Sequence, residues 1–383
     1  MTPFGLYVHW PFCQAKCPYC DFNSHVTANV DQQRWADALC SELRRYRRET
    51  GPRTLRSIFF GGGTPSLMQP ETVGHVLDIA SKLWGFASDI EISLEANPTS
   101  VEGTRFDGYR AAGVNRVSIG VQSLNDRDLK RLGRLHSVEE ALGAIEQARH
   151  TFDRVSFDLI YARQDQSVAD WTDELTRAID LGPDHISLYQ LTLEPGTAFF
   201  DRWTRGKLSG MPGEDLGADL WYVTQDICAS AGLPAYEISN HARPGAKSLH
   251  NLIYWRSHDW IGVGPGAHGR FTSESARVAT EAISAPGAWL KAVETNSNVE
   301  TERTTISDAE HGDDILMMGL RLTEGVDLTR LSKNRRDELL NNINGLSSSG
   351  VVALKGNILS ATASGRPILN EILRQLLTGQ ADI

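Results

Sequence analysis

Phe12-Cys13-Gln14-Ala15-Lys16-Cys17-Pro18-Tyr19-Cys20-Asp21-Phe22 gathers three of the chain's five cysteines at C-x3-C-x2-C spacing. Thiols this close along one short loop can be aimed at three corners of a cube, as an iron–sulfur cluster requires, although such clusters usually take four cysteines. No fourth is at hand. Asp21 and Phe22 follow Cys20, while Cys40 and Cys228 fall far away in stretches that read as helical and buried. A 4Fe–4S cluster held by Cys13, Cys17 and Cys20 would keep one iron open to an exchangeable ligand. The other metal reading of the same residues is a structural zinc site of three Cys with His9 or His25. A disulfide framework is disfavoured, because an odd cysteine count in a long chain without a signal peptide points to a reducing compartment.

The cysteine loop resembles that of the radical S-adenosylmethionine (SAM) superfamily, in which the open iron is chelated by the amino and carboxylate groups of SAM. The resemblance implies that Cys13, Cys17 and Cys20 hold the cluster and that Tyr19 lies against the adenine.

Outward from the loop, Gly5 to His9 reads as a first strand, and from Asp31 a helix shows Trp35, Ala38, Leu39, Leu43 and Tyr46 at helical spacing. Further strands are predicted at Leu55 to Phe60, Ile90 to Glu95, Arg116 to Val121, Val155 to Tyr161 and His185 to Leu191. The helices between them are predicted near Pro70 to Trp84, Val101 to Ala112, Asp126 to Leu132, Ser137 to His150 and Val168 to Leu181. Strands alternating with helices imply a parallel sheet, and six strands suit a partial TIM-like barrel in an α/β protein. Working residues of such barrels sit at the C-terminal strand ends. Here those ends carry Tyr7 and His9, then Gly61-Gly62-Gly63-Thr64, Glu95, Gln122, Asp158, and Tyr189 with Gln190.

The glycine turn lacks the lysine and spacing of a P-loop, so nucleotide hydrolysis is not its task; glycines let backbone approach a ligand or simply make a tight turn. The resemblance assigns Gly62, Gly63 and Thr64 to the amino group of SAM. It also places Tyr7, Glu95, Gln122, Arg134 and Asp158 at positions contacting SAM. Without it, Glu95 could be a solvated loop acid and Arg134 a helix cap. Gly262-Val263-Gly264-Pro265-Gly266-Ala267-His268-Gly269 spells a GxGxxG pattern, but no strand-loop-helix unit surrounds it and a dinucleotide site is rejected.

His250-Asn251-Leu252-Ile253-Tyr254-Trp255 sets a histidine beside aromatics. It is either an ordinary buried residue or an axial ligand for haem iron, with Tyr254, Trp255 and Trp260 as an apolar face. Together with the cysteine loop, the Gly-Gly-Gly-Thr-Pro turn and Leu94-Glu95-Ala96-Asn97-Pro98, this segment is similar to the HemN/HemW group, which comprises oxygen-independent coproporphyrinogen III oxidases and their haem-chaperone relatives. The likeness covers nearly the whole chain. It implies a radical SAM core over residues 1–275 and a small helical, winged-helix-like C-terminal domain over 276–383, where Ile368, Leu369, Ile372, Leu373 and Leu376 mark a packed last helix.

Two departures separate the chain from the oxidases: Phe22 stands where they have a further cysteine, and Cys13 comes without their N-terminal extension. Both favour the chaperone branch. That branch implies a 4Fe–4S cluster, SAM, haem on His250 near the surface, and acceptor haemoproteins as partners. Oxidative decarboxylation of coproporphyrinogen III is the second reading and a zinc-stabilised binding module the third. His9, His241, His258 and His268 stand as other haem-ligand candidates.

At 383 residues, with 40% apolar and 22% charged, the chain can bury a full core and reads as an ordinary soluble protein. A formal charge of −10 argues against nucleic-acid binding. Arg44-Arg45-Tyr46-Arg47-Arg48 reads as a solvated helix end, where cations suit the macrodipole. No targeting peptide or apolar run of membrane-span length is visible, so cytoplasmic residence is expected. Dimerisation is left open.

Overall fold

In the computed structural model, which describes residues 3–99, 104–273 and 276–378, the predicted strands become six parallel neighbours. They are β1 (Phe4–Trp10), β2 (Leu55–Gly62), β3 (Phe86–Ala96), β4 (Arg116–Gln122), β5 (Arg154–Tyr161) and β6 (His185–Gln190). Their order in the sheet is their order in the chain, the singly wound arrangement of a barrel whose parallel strands are joined by helix crossovers.

The crossover helices carry their own boundaries. The helix Gln32–Thr50 starts where the Asp31 side chain accepts the Arg34 N–H and stops at Gly51, whose φ of 64° suits glycine. Val138–Thr151 and Val168–Asp180 each open with a capping box, Ser137 with Glu140 and Ser167 with Asp170. The predicted helix at Val101 to Ala112 is observed as Phe106–Ala112; residues 101–103 lie outside the described set.

The sheet does not stop at the six. β7 (Asn240–Ala242) pairs antiparallel with β6. On the opposite edge β8 (Asp259–Val263) lies parallel to β1, followed by antiparallel β9 (His268–Ser273), β10 (Ala276–Ala282) and β11 (Glu300–Ile306). Asp259 pins this edge: its carboxylate takes Arg53 Nη1 and Arg277 Nη1, each at 2.5 Å, and the Thr272 N–H at 2.9 Å. So buried an acid stays ionised only with partners of this quality.

The predicted division at 275/276 meets a different packing. β10 and β11 belong to the main sheet, and Val278, Trp289, Val293 and Val299 join the main core. A second core begins at Ile315 and gathers Leu316, Leu339, Ile343, Leu359 and Ile372. It is built by the helices Asp308–Gly319, Lys333–Ser348 and Leu369–Thr378 over a small sheet of Val326–Asp327, Ile358–Ala361 and Val352–Lys355. We propose that the division lies near Ser307.

The arginine run closes its helix as expected, yet Arg45 is not merely solvated: it pairs with Glu42, Glu49 and Glu300 at 2.8–2.9 Å. No helix among the described residues is long and apolar enough to cross a membrane.

Candidate functional site

The cysteine loop is tied down at both ends by backbone. The Gly63 N–H donates to the Trp10 carbonyl at 2.7 Å and the Thr64 N–H to the Phe12 carbonyl at 2.8 Å, so the glycine turn and the loop entry lie side by side. A side chain at Gly63 would meet the Phe12 oxygen at 2.8 Å, and one at Gly62, whose φ is 109°, would strike the His9 ring at 2.6 Å. The triple glycine is therefore needed for close backbone approach. At the far side Gly133 receives Pro18, and the Phe199 N–H donates to the Pro18 carbonyl at 2.8 Å.

Held this way, the three thiols line one cavity at the C-terminal strand ends. Cys13 Sγ accepts from Thr64 at 3.3 Å, Cys17 Sγ from Arg134 Nη1 at 3.5 Å, and Cys20 Sγ lies 3.9 Å from Ser24 Oγ. Burial pushes Cys13 and Cys20 up, opposed by the Thr64 bond at the first and by bonds from Phe22 and Ser24 at the second. Cys40 and Cys228 are buried in helices away from this cavity, as expected.

Nearly every residue singled out for SAM is on the same walls: Tyr19, Gly62, Gly63, Thr64, Glu95, Gln122, Arg134 and Asp158. Gln122 ends β4 at φ 68°, a left-handed turn that costs a non-glycine residue on the order of 1–2 kcal/mol. Arg134 reaches across the cavity, donating to Asn97 Oδ1 at 2.7 Å and to the Gly120 carbonyl at 2.9 Å. Tyr19 packs at 6.3 Å on Phe199.

Tyr7 is the exception. It does not line the cavity; its hydroxyl bonds His9 Nδ1 at 3.0 Å, while His9 Nε2 donates to the Asn23 carbonyl at 2.9 Å. Asn97 and Ser24 also face the cavity and were missed, although Asn97 stands two residues after Glu95 and Ser24 four after Cys20.

Two carboxylates give the cavity its electrostatic character. Burial, and the Asp158 charge beside it, push Glu95 up to about 8, with the Gly62 N–H opposing. Burial also raises Asp158, against hydrogen bonds from Ser187 and Ser118. Among the described residues Glu95 has no cation within ion-pair distance. The folded chain therefore keeps a proton on Glu95 that the unfolded chain gives up above about pH 4. Stability contributed through this group falls as pH rises from about 4 to about 8. Glu95→Gln is expected to reduce the drop in melting temperature of cluster-free protein between pH 5 and pH 8.5. An unchanged drop would mean that Glu95 is not held as described.

His250 lies elsewhere. It sits in the helix Leu249–Trp255, whose start is set by the Ser248 side chain and by the buried Glu91 carboxylate, which accepts the N–H groups of Leu249 and His250 at 3.1 Å. The sequence suggested an imidazole near the surface. Instead His250 is 1% exposed, with Nδ1 bonded to Ser57 Oγ at 2.8 Å and Nε2 to Tyr254 Oη at 2.7 Å. Burial, aided by the Arg116 charge, holds it neutral, down to about 3. Its ring stacks on Phe59 at 5.1 Å and lies 6.4 Å from Tyr7, so it shares the barrel interior with the strand that leads to the cysteine loop.

Beside this helix opens a second cleft of about 710 Å³, lined by Tyr254, Trp255, Trp221, Tyr189, Arg321 and Arg366 among others. His250 does not line it, nor do His9, His241, His258 or His268.

Comparison with known proteins agrees with this architecture. Residues 7–176 match the Radical SAM superfamily, whose members use a 4Fe–4S cluster and SAM, and residues 306–368 match the HemN C-terminal domain. The chain is 38% identical to "Radical S-adenosyl methionine domain-containing protein 1, mitochondrial" of Bos taurus, over 98% of this chain and 87% of that one. It is 34% identical to "Heme chaperone HemW" of Haemophilus influenzae over 99% of each. To the protein of that name from Mycobacterium tuberculosis it is 35% identical, over 98% and 95%. The solved structure of coproporphyrinogen III oxidase (HemN) from Escherichia coli superposes with a TM-score of 0.81, covering 99% of this chain and 91% of that one at 22% identity, a likeness of fold. A barrel with three thiols at its mouth, a HemN-type C-terminal domain and end-to-end identity with these relatives make the chain a member of the HemW family within the radical SAM superfamily.

Proposed function

We propose that the protein is a cytoplasmic haem chaperone that holds a 4Fe–4S cluster and SAM, binds haem beside the His250 segment, and passes it to acceptor haemoproteins. The end-to-end likeness to proteins named heme chaperones carries this reading.

The donor set supports the cofactors. Three thiols spread around one cavity suit a cluster wider than a single ion, and Arg134 beside Cys17 offsets the charge of thiolate ligands. Two buried carboxylates, neither with a cation within ion-pair distance among the described residues, suit a ligand that brings an ammonium group and hydroxyls. On this reading Gly62, Gly63 and Thr64 present backbone to the SAM amino group, Glu95, Gln122, Arg134 and Asp158 bind the rest of it, and Tyr19 covers the adenine. Tyr7 acts at one remove by fixing His9. The cluster and SAM, when bound, supply one-electron chemistry, and the chain positions them and limits access of water.

Titration of hemin into cluster-containing and cluster-free protein, with and without SAM, tests the reading. Saturable hemin binding is expected. A parallel anaerobic incubation with coproporphyrinogen III, SAM and reductant is expected to leave the substrate intact. Formation of protoporphyrinogen would replace the chaperone reading with the oxidase one.

A further inference from the structure

We propose that haem seats in the cleft between the barrel and the C-terminal domain, with the Tyr254 phenol oxygen as its iron ligand and Arg321 and Arg366 as partners of its propionates. This rests on the haem-chaperone reading and adds the ligand atom and the seat.

The helix Leu249–Trp255 divides the labour. His250 and Tyr254 stand four residues apart, so they share one helix face, and their side chains meet at 2.7 Å. Tyr254 contributes to the cleft wall, whereas His250 is sealed behind it with both ring nitrogens already engaged. To reach iron in the cleft, His250 would have to give up both Ser57 and Tyr254. Tyr254 keeps its place and exchanges its proton for the iron, whose charge has to outweigh the burial and the Glu95 charge that hold that proton on the phenol. Phenolate oxygen is an established axial ligand of haem iron, and an imidazole hydrogen-bonded behind a ligand atom is the arrangement that orients and tunes a metal ligand.

The rest of the cleft suits the same occupant. Its volume of about 710 Å³ falls in the range of small-molecule sites, ~300–1,000 Å³. Trp255, Trp221 and Tyr189 offer apolar faces. The Arg321 guanidinium sits 5.9 Å from the Trp255 ring centre. Arg321 donates to the Met317 carbonyl, and Arg366 donates to the Glu237 carbonyl at 2.6 Å. Among the described residues neither arginine has a carboxylate within ion-pair distance. Glu237 acts on both from nearby, but its oxygens are taken by Ile238 N, Ser239 N and Asn240 Nδ2. Two cations left without acids, on the wall of an aromatic cleft, match a flat apolar dianion.

Ligation balances without an electron transfer. The phenol O–H bond breaks, its proton passes to the hydroxide ligand that ferric hemin carries in water, which leaves as water, and an oxygen lone pair forms the bond to iron while His250 stays neutral behind it. Release runs the same steps backwards, which gives a donor site a labile bond.

The test is ferric hemin titration of the full-length, cluster-containing protein followed by optical and EPR spectroscopy. Wild type is expected to show a high-spin ferric signal with a phenolate-to-iron charge-transfer band. Tyr254→Phe is expected to lose the band and bind at least tenfold more weakly, with cluster absorbance retained. His250→Gln keeps an acceptor for the phenol and is expected to retain the band. Arg321→Gln with Arg366→Gln is expected to retain the band and weaken binding at least tenfold. Tyr254→Phe with unchanged spectrum and affinity overturns the ligand, and unchanged affinity in the arginine double variant overturns the seat. Failure of wild type to bind hemin at all overturns the chaperone reading itself.

Discussion

Cys17→Ser is expected to take the iron content of anaerobically reconstituted protein from about four atoms per chain to near none. The brown absorbance should go with it. Each of the three thiols lines the cavity from a different part of the loop, and among the described residues no other cysteine is near enough to substitute. A cluster reduced to two protein thiolates has lost a third of its anchoring bonds to the chain. The fold should survive the change, because Cys17 is only half-buried and serine has nearly its shape. Thermal unfolding of the cluster-free variant should therefore track wild type within a degree or two. Full iron content in the variant would show that Cys17 is not a ligand.

The second large effect is on packing beneath that loop. Trp35 stacks on Trp289 with centroids 5.5 Å apart and planes 7° off parallel, and it takes the edge of Phe12 at 4.9 Å and of Trp10 at 6.0 Å. Phe12 is the residue before Cys13, so the aromatic cluster is the floor on which the cysteine loop stands. Trp35→Ala removes a side chain that is only 6% exposed, and truncations of this kind cost about 3–5 kcal/mol. Denaturant unfolding of cluster-free protein should show a loss of that order. Reconstituted iron should fall as well, since the loop entry loses its support. A loss below about 1 kcal/mol would mean that the stack contributes little and that backbone bonds from the glycine turn suffice.

Much of this floor was legible in advance. Trp35, Leu39, Leu43 and Tyr46 keep helical spacing, Asp31 and Gly51 mark the helix ends, and apolar runs mark β1, which Pro11 ends, and β2, which runs into glycine. The polar strand ends gave the cavity walls, because parallel strands must all finish at one face. What stayed hidden depended on contacts distant in sequence. β8 joins β1 across some 250 residues of chain, and nothing in Asp259-Trp260-Ile261-Gly262-Val263 announces that partner. β11 reads as a polar coil, since its residues from Thr301 to Thr305 are all exposed. It is a strand because β10 pairs with it and because Arg303 bridges Glu49 and Glu300 at 2.7 Å.

His250 shows the limit most sharply. Ser57 comes from another strand, and only the fold reveals that it takes Nδ1. The other partner was within reach of the sequence: Tyr254, four residues on, is where a helix brings two side chains together. Read that way, the segment already points past the histidine to the tyrosine beside the cleft.

Haem handover tests the central claim most directly. Protein loaded with hemin and freed of excess would be mixed with an apo-haemoprotein, and both spectra followed after the two are separated. The account predicts that the acceptor gains holoprotein absorbance as the donor loses hemin in equal amount. Hemin that stays on the donor, or moves only as fast as free hemin released from it, would contradict a chaperone.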